Sequence, residues 1–242
     1  MLGSVLNDLD SFQIFQLPIR PDRVVLPSAV DNAPIYLDWY VQTEKIDESS
    51  PEVDALSPII ILVHGIAGNS TEGYMVRLAH AFIQHGWRAC SFDWWRFDFG
   101  DWRDLDVLVK HLQAQFPLAP IAAVGISAGG HLLLRYLQST GTTCPLVAAV
   151  AISPCLDLVR ETARVREEEN TGYSYFLRYC VLRCAARHIA EGKYSKEDSE
   201  ASVSSLFHHT HSLVALVTDT STIGRCSQVC SNSETHHQRH PD

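Results

Sequence analysis

Ala123-Val124-Gly125-Ile126-Ser127-Ala128-Gly129-Gly130 is the stretch whose reading decides the fold. The apolar run 121–124 before it reads as a short buried strand. His131-Leu132-Leu133-Leu134-Arg135-Tyr136-Leu137 after it carries apolar residues at helical spacing. A serine between two glycines where a strand meets a helix is the pattern of a nucleophile elbow: the serine takes a strained backbone, and Gly125 and Gly129 keep side chains out of the crowded turn. The helix start offers unpaired N–H groups and a positive dipole end to an oxygen that becomes negative during acyl transfer. The alternative is a glycine-rich turn with Ser127 as a plain helix cap.

Working outward, Pro58-Ile59-Ile60-Ile61-Leu62-Val63 is the continuous β-branched run of a strand buried on both faces, and it ends in His64-Gly65-Ile66-Ala67-Gly68. Glycines here let backbone amides turn into a cavity. The amides of Ile66 and Ala128 are the candidate oxyanion donors. His64 is not a candidate base, since a residue packed beneath that loop cannot also reach the serine. An amphipathic helix over Tyr74 to His85, with Tyr74, Leu78, Phe82 and their neighbours Met75, Ala79, Ile83 on one face, is stopped by Gly86. A strand over Trp87 to Asp93, a helix with Leu105, Leu108, Val109, Leu112 and Phe116, and a last strand over Leu146 to Ile152 complete an alternating order. That order predicts a doubly wound, mostly parallel α/β sheet. In front of it, Arg23 to Pro27 and Ile35 to Val41 read as two strands of an antiparallel edge.

The chain has 242 residues and a net charge of −9, enough for one large α/β domain and unsuited to a broad nucleic-acid surface. Seven cysteines at scattered spacing, with no leader-like start, predict reduced thiols and a cytoplasmic or other intracellular setting. Cys180/Cys184 and Cys226/Cys230 have a spacing that suits a metal on a helix, but no matching histidine pair accompanies them, so buried or incidental thiols are expected rather than a metal site. No apolar stretch reaches the roughly 18 residues that span a bilayer, which leaves peripheral membrane contact as the expectation.

LVHGIAGNS, HGWRACSFD, VGISAGGHLLLRYL and AVAISPCLDL together resemble the α/β-hydrolase superfamily, and more narrowly its YheT-like branch of monoacylglycerol lipases and short- or medium-chain carboxylesterases. Ser153, Pro154, Asp157 and Leu158 match that branch's strand end, and the resemblance covers about Pro27 to Arg160. It implies Ser127 as nucleophile, the amides of Ile66 and Ala128 as oxyanion hole, a small-molecule ester as substrate, and no cofactor. The implied layout is an N-terminal segment at 1–22, the hydrolase core at 23–160, a lid-like helical segment at 161–200 and a divergent, largely disordered tail at 201–242, with the last strands of the fold missing or degenerate.

Two departures stand out. Where the branch has an arginine-glycine loop, Trp94 to Trp102 passes almost directly into the next helix; its Trp94, Trp95, Phe97 and Phe99 line an acyl pocket or pack on the sheet edge. The family also places its acid and histidine after two further strands, in the order Ser, Asp, His. Here Asp219 ends the one late apolar run, and only His236, His237 and His240 follow it; Asp219 with His237 is the candidate pair, and their spacing leaves little room for a crossover. The expectation is a nucleophile without a well-placed acid and base in this chain, so a catalytically incomplete hydrolase-fold binding protein stands as the alternative to an esterase.

Overall fold

The computed structural model describes residues 19–42, 54–94 and 101–157, with scattered helical positions between 160 and 180. Its first unit comprises 1–94 and 101–154, and within it six strands form one sheet in the order β1-β2-β4-β3-β5-β6. β1 (Ile19–Pro27) and β2 (Pro34–Gln42) form an antiparallel hairpin, turned through Asn32 at φ 60°. β1 starts four residues upstream of the expected Arg23. β2 then pairs antiparallel with β4 (Arg88–Asp93), and β4, β3 (Ile59–Val63), β5 (Ile121–Ile126) and β6 (Ala148–Ile152) run parallel. The antiparallel edge on a parallel sheet is the arrangement expected from the sequence.

Three helices link the parallel strands: α1 (Gly73–Gln84), α2 (Arg103–Gln115) and α3 (Ala128–Thr140). From β3 the chain crosses to β4 on one side, then returns over β3 to β5 and continues to β6. Right-handed crossovers in opposite directions place α1 on one face of the sheet and α2 and α3 on the other. β3 is therefore covered twice, and all five of its residues are buried. Ile60 and Leu62 join Met75, Val76, Ala79 and Ile83 of α1 in one cluster. Tyr74, Leu78 and Phe82, expected on the same buried face, instead flank it: Leu78 and Phe82 are half-buried against the cluster, and Tyr74 is 38% exposed. The heavily buried seam follows Met75, Ala79 and Ile83, spaced by one helical turn.

Reversal of the winding direction leaves a crevice between the C-terminal ends of β3 and β5, the place where open α/β sheets put their ligands. Among the described residues, three of the four non-glycine residues with positive φ lie at that edge of the sheet: Ala67 (59°) beyond β3, Ser127 (53°) after β5 and Ser153 (47°) after β6. Strain concentrated there is characteristic of working sites.

In the second unit, 95–100 and 155–242, the Arg160 amide donates to Asp157 Oδ1 at 2.9 Å, and Tyr173, Tyr175, Phe176 and Tyr179 are exposed at helical positions. The lid-like segment falls mostly, and the tail 201–242 wholly, outside the described residues. Among the described residues no helix is long and apolar enough to cross a membrane.

Candidate active site

β5 ends at Ile126, α3 begins at Ala128, and Ser127 between them has φ 53° and ψ −118°. Two backbone bonds fasten this corner. The Ser127 N–H donates to the Ile152 carbonyl of β6 at 2.8 Å, carrying the ladder one residue past β5, and the Ser127 carbonyl accepts the His131 N–H at 3.1 Å, the first bond of α3. The amides of Ala128, Gly129 and Gly130 thus belong to the helical turn that has no intrahelical acceptors. No acidic side chain sits in that turn to offset the dipole.

Ser127 occupies the N-cap position, yet its side chain makes no capping hydrogen bond, and the residue is exposed. That observation separates it from the plain cap, whose hydroxyl would be bonded to an amide one turn on. The flanking glycines are required by packing. A Cβ on Gly129 would collide with the carbonyl oxygens of Val63 and His64, and one on Gly125 would lie 2.5 Å from the Gly129 carbonyl oxygen. Their absence lets the first turn of α3 rest on the end of β3. Ser127 is thereby brought beside the loop that follows β3, so that a Cβ on Gly65 would lie 3.4 Å from Ser127 Cβ.

Gly65 to Gly68 forms a closed turn, with the Gly68 N–H donating to the Gly65 carbonyl at 3.1 Å and Ala67 in the left-handed region. Ile66 is half-buried within it, and Ala128 is buried at the start of α3. The loop is fixed from two sides. From above, the Gly65 N–H donates to the Tyr74 hydroxyl at 3.1 Å. From below, His64 is 1% exposed; its Nδ1–H donates to the Gly65 carbonyl at 2.8 Å, and its Nε2 lies 3.3 Å from Asp93 Oδ1 without a hydrogen bond to it. Both ring nitrogens of His64 are therefore engaged by groups other than Ser127.

Beneath this loop lies a buried polar network that the sequence did not suggest. Arg23 reaches from β1 to donate through Nε to Asp38 Oδ1 at 2.7 Å and through its terminal nitrogen to Asp38 at 2.6 Å and Asp93 at 2.5 Å. The Ser70 hydroxyl donates to Asp38 at 2.5 Å, and the Tyr40 hydroxyl donates to the Ser70 carbonyl at 2.7 Å. Bonding to Asp38, reinforced by both carboxylate charges, raises the Arg23 pKa against the desolvation that opposes it. Arg23, Asp38 and Ser70 are far apart in sequence and sit in no motif, so only the strand pairing could reveal them. Trp94, one of the aromatics proposed for an acyl pocket, stacks on His64 at 5.6 Å and donates its indole N–H to the His64 carbonyl at 3.2 Å. It belongs to the support of the loop; Trp95, Phe97 and Phe99 lie outside the described residues, as do Asp219, His236 and His237.

Among the described residues no group of three or more His, Cys, Asp or Glu is arranged to hold a metal ion. Cys90 and Cys144 are free thiols, and burial pushes that of Cys90 up.

A serine on a strained corner beside a glycine loop, at the switch point of a doubly wound sheet, defines the hydrolase class of α/β proteins. The alpha/beta hydrolase family matches residues 60–211, and the chain belongs to it. It is 28% identical over 179 residues to the human phospholipase ABHD3, covering 69% of this chain and 43% of that protein. It is 29% identical over 144 residues to the putative esterase YheT of Escherichia coli (55% and 42%) and 23% identical over 158 residues to the monoacylglycerol lipase of Saccharomyces cerevisiae (60% and 35%). The chain spans less than half the length of each of these relatives. In fold it is similar to the hyperthermophilic esterase of the archaeon Pyrobaculum calidifontis, with a TM-score of 0.50 at 18% identity over 74% of this chain and 64% of that one.

Proposed function

We propose that the chain is a serine hydrolase of carboxylic esters, with Ser127 Oγ as nucleophile and the amides of Ile66 and Ala128 as oxyanion hole. The observation that carries this reading is Ser127 itself: an exposed non-glycine residue held at φ 53°, at a helix start, whose hydroxyl is not used as a cap. Strain of order 1–3 kcal/mol is retained only where the surroundings impose it, and a helix start is a favourable place to form an oxyanion. In this reading Oγ attacks the ester carbonyl and its proton passes to a base; the collapse expels the alcohol, which takes that proton, and water then releases the acyl group from Oγ as the acid. The relatives' names, phospholipase, monoacylglycerol lipase and esterase, support acylglycerols or short and medium acyl esters as the substrate class.

A second reading is favoured by a specific observation. His64 is engaged below the loop, and Asp219, His236 and His237 lie beyond the residues that match the family, 60–211. Without a base the serine hydroxyl is a poor nucleophile, and turnover falls by several powers of ten. The test is titration with a fluorophosphonate probe beside turnover of a p-nitrophenyl butyrate substrate, for the wild type and Ser127→Ala. Stoichiometric labelling and turnover, both lost in the variant, support the esterase. A folded chain that takes up no probe supports the binding protein. Replacing His236, His237 and the earlier histidines one at a time then identifies the base.

A further inference from the structure

We propose that the Tyr74 hydroxyl is a third donor to the oxyanion, acting beside the amides of Ile66 and Ala128. This inference rests on the esterase reading above. Tyr74 is the second residue of α1 and is 38% exposed. Its hydroxyl is turned inward: it accepts the Gly65 N–H at 3.1 Å, and a Cβ on Gly68 would lie 3.0 Å from it. The position a Gly65 side chain would fill lies 3.8 Å from the same hydroxyl, 3.5 Å from the Ile126 carbonyl oxygen and 3.4 Å from Ser127 Cβ. The serine and the phenol thus both border the space beside Gly65.

A phenol has one proton to give and lone pairs to receive. Tyr74 receives from Gly65, and among the described residues its own proton has no acceptor. The bond from Gly65 orients the hydroxyl, leaving its O–H to point into that space, where an acyl group joined to Ser127 Oγ would place its carbonyl oxygen. Desolvation pushes the phenol up to about 12, although the Gly65 bond pulls the other way, so it stays protonated at assay pH and gives a hydrogen bond rather than its proton. When Oγ attacks, the Oγ–C bond forms, the carbonyl pair moves to oxygen, the serine proton leaves to the base, and the Tyr74 O–H shortens onto the new charge. A preorganised donor at this place is worth about 10²–10³ in turnover when it is a principal one. A third donor sharing the charge with two amides is expected to be worth less than that.

The experiment uses the full chain with p-nitrophenyl butyrate and the fluorophosphonate. Tyr74→Phe keeps the ring, and its expected result is a roughly 30-fold loss of kcat with KM within about two-fold, matched by slower labelling. Because this variant also frees the Gly65 N–H, a second replaces Tyr74 site-specifically by 3-fluorotyrosine, a better donor and a poorer acceptor in the same shape. If the hydroxyl donates to the oxyanion, this variant keeps or exceeds the wild-type kcat. If it serves only to hold Gly65, kcat falls, and the proposal is overturned. Labelling of Tyr74→Phe at the wild-type rate also overturns it while leaving the esterase reading intact. A wild type that takes up no probe overturns both.

Discussion

Ser127 stands in a conformation that alanine tolerates no better than serine and that glycine adopts freely. Replacing it separates strain from chemistry. Ser127→Gly releases strain of order 1–3 kcal/mol and gives back about 0.5–1 kcal/mol through the freer unfolded chain, so a net gain of about 1 kcal/mol is expected. Ser127→Ala is expected to leave stability within about 0.5 kcal/mol of the wild type. Urea midpoints of the three chains check this. A Ser127→Gly chain less stable than Ser127→Ala would mean that the corner is not strained, and would remove the main support for a nucleophile there.

At the scale of elements, the β1–β2 hairpin is fastened to the sheet by charge as well as by strand pairing. Asp38 is fully buried and Asp93 nearly so, and Arg23 is the cation that bridges them, with its side chain 39% exposed. Removing one partner from a buried ionic group costs about 3–5 kcal/mol, and the partial exposure of Arg23 lowers that to about 2 kcal/mol. Arg23→Met is expected to lose this much, and adding Asp38→Asn to recover part of it, as a double-mutant cycle would read. If the two substitutions prove additive, the bridge does not carry the coupling. The two apolar strands β3 and β6 make a second contrast. Ile61 is fully buried, whereas Val150 is 52% exposed at the far end of the sheet. Ile61→Ala is expected to cost about 3–4 kcal/mol and Val150→Ala less than about 1 kcal/mol, measured by urea denaturation. Equal costs would contradict the sheet order.

For the whole molecule, the buried protic groups set an alkaline limit. Desolvation raises the thiol of Cys90 from its ordinary 9.0 and the hydroxyls of Tyr40, Tyr74 and Tyr136 from 10.0. The native chain holds these protons where the unfolded chain has released them. Their contribution is complete below the unfolded values and is lost as pH rises through the range up to the folded ones. Stability is therefore expected to be level in this respect from pH 7 to 9 and to fall from pH 9–10 upward, followed by urea midpoints at fixed salt. No loss by pH 11 would show that these groups are hydrated in the native chain. At the same scale, the fluorophosphonate titration decides whether the fold works as an esterase or as a binding protein.

What the sequence by itself determined is local and periodic. The β-branched run at 59–63, the helical stripes at Met75 and Leu105, and glycines on both sides of Ser127 are properties of neighbours in the chain, and they implied strand, helix and the sharp corner at Ser127 in their observed order. The hydrolase family could be read from the same stretches because motif and element coincide in them. Tertiary structure alone decided how distant residues meet. Arg23, Asp38, Ser70, His64 and Asp93 form one network because β1, β2 and β4 lie side by side, and sequence spacing holds no trace of that pairing. Tyr74 read as one more apolar residue of a helix face. Its place at the flank of α1, with its hydroxyl on Gly65, depends on how that helix is rotated against the sheet. The apolar runs of β3 and β6 look alike as text. One is buried and the other exposed because burial depends on the neighbours a strand acquires in space, which the strand's own residues do not encode.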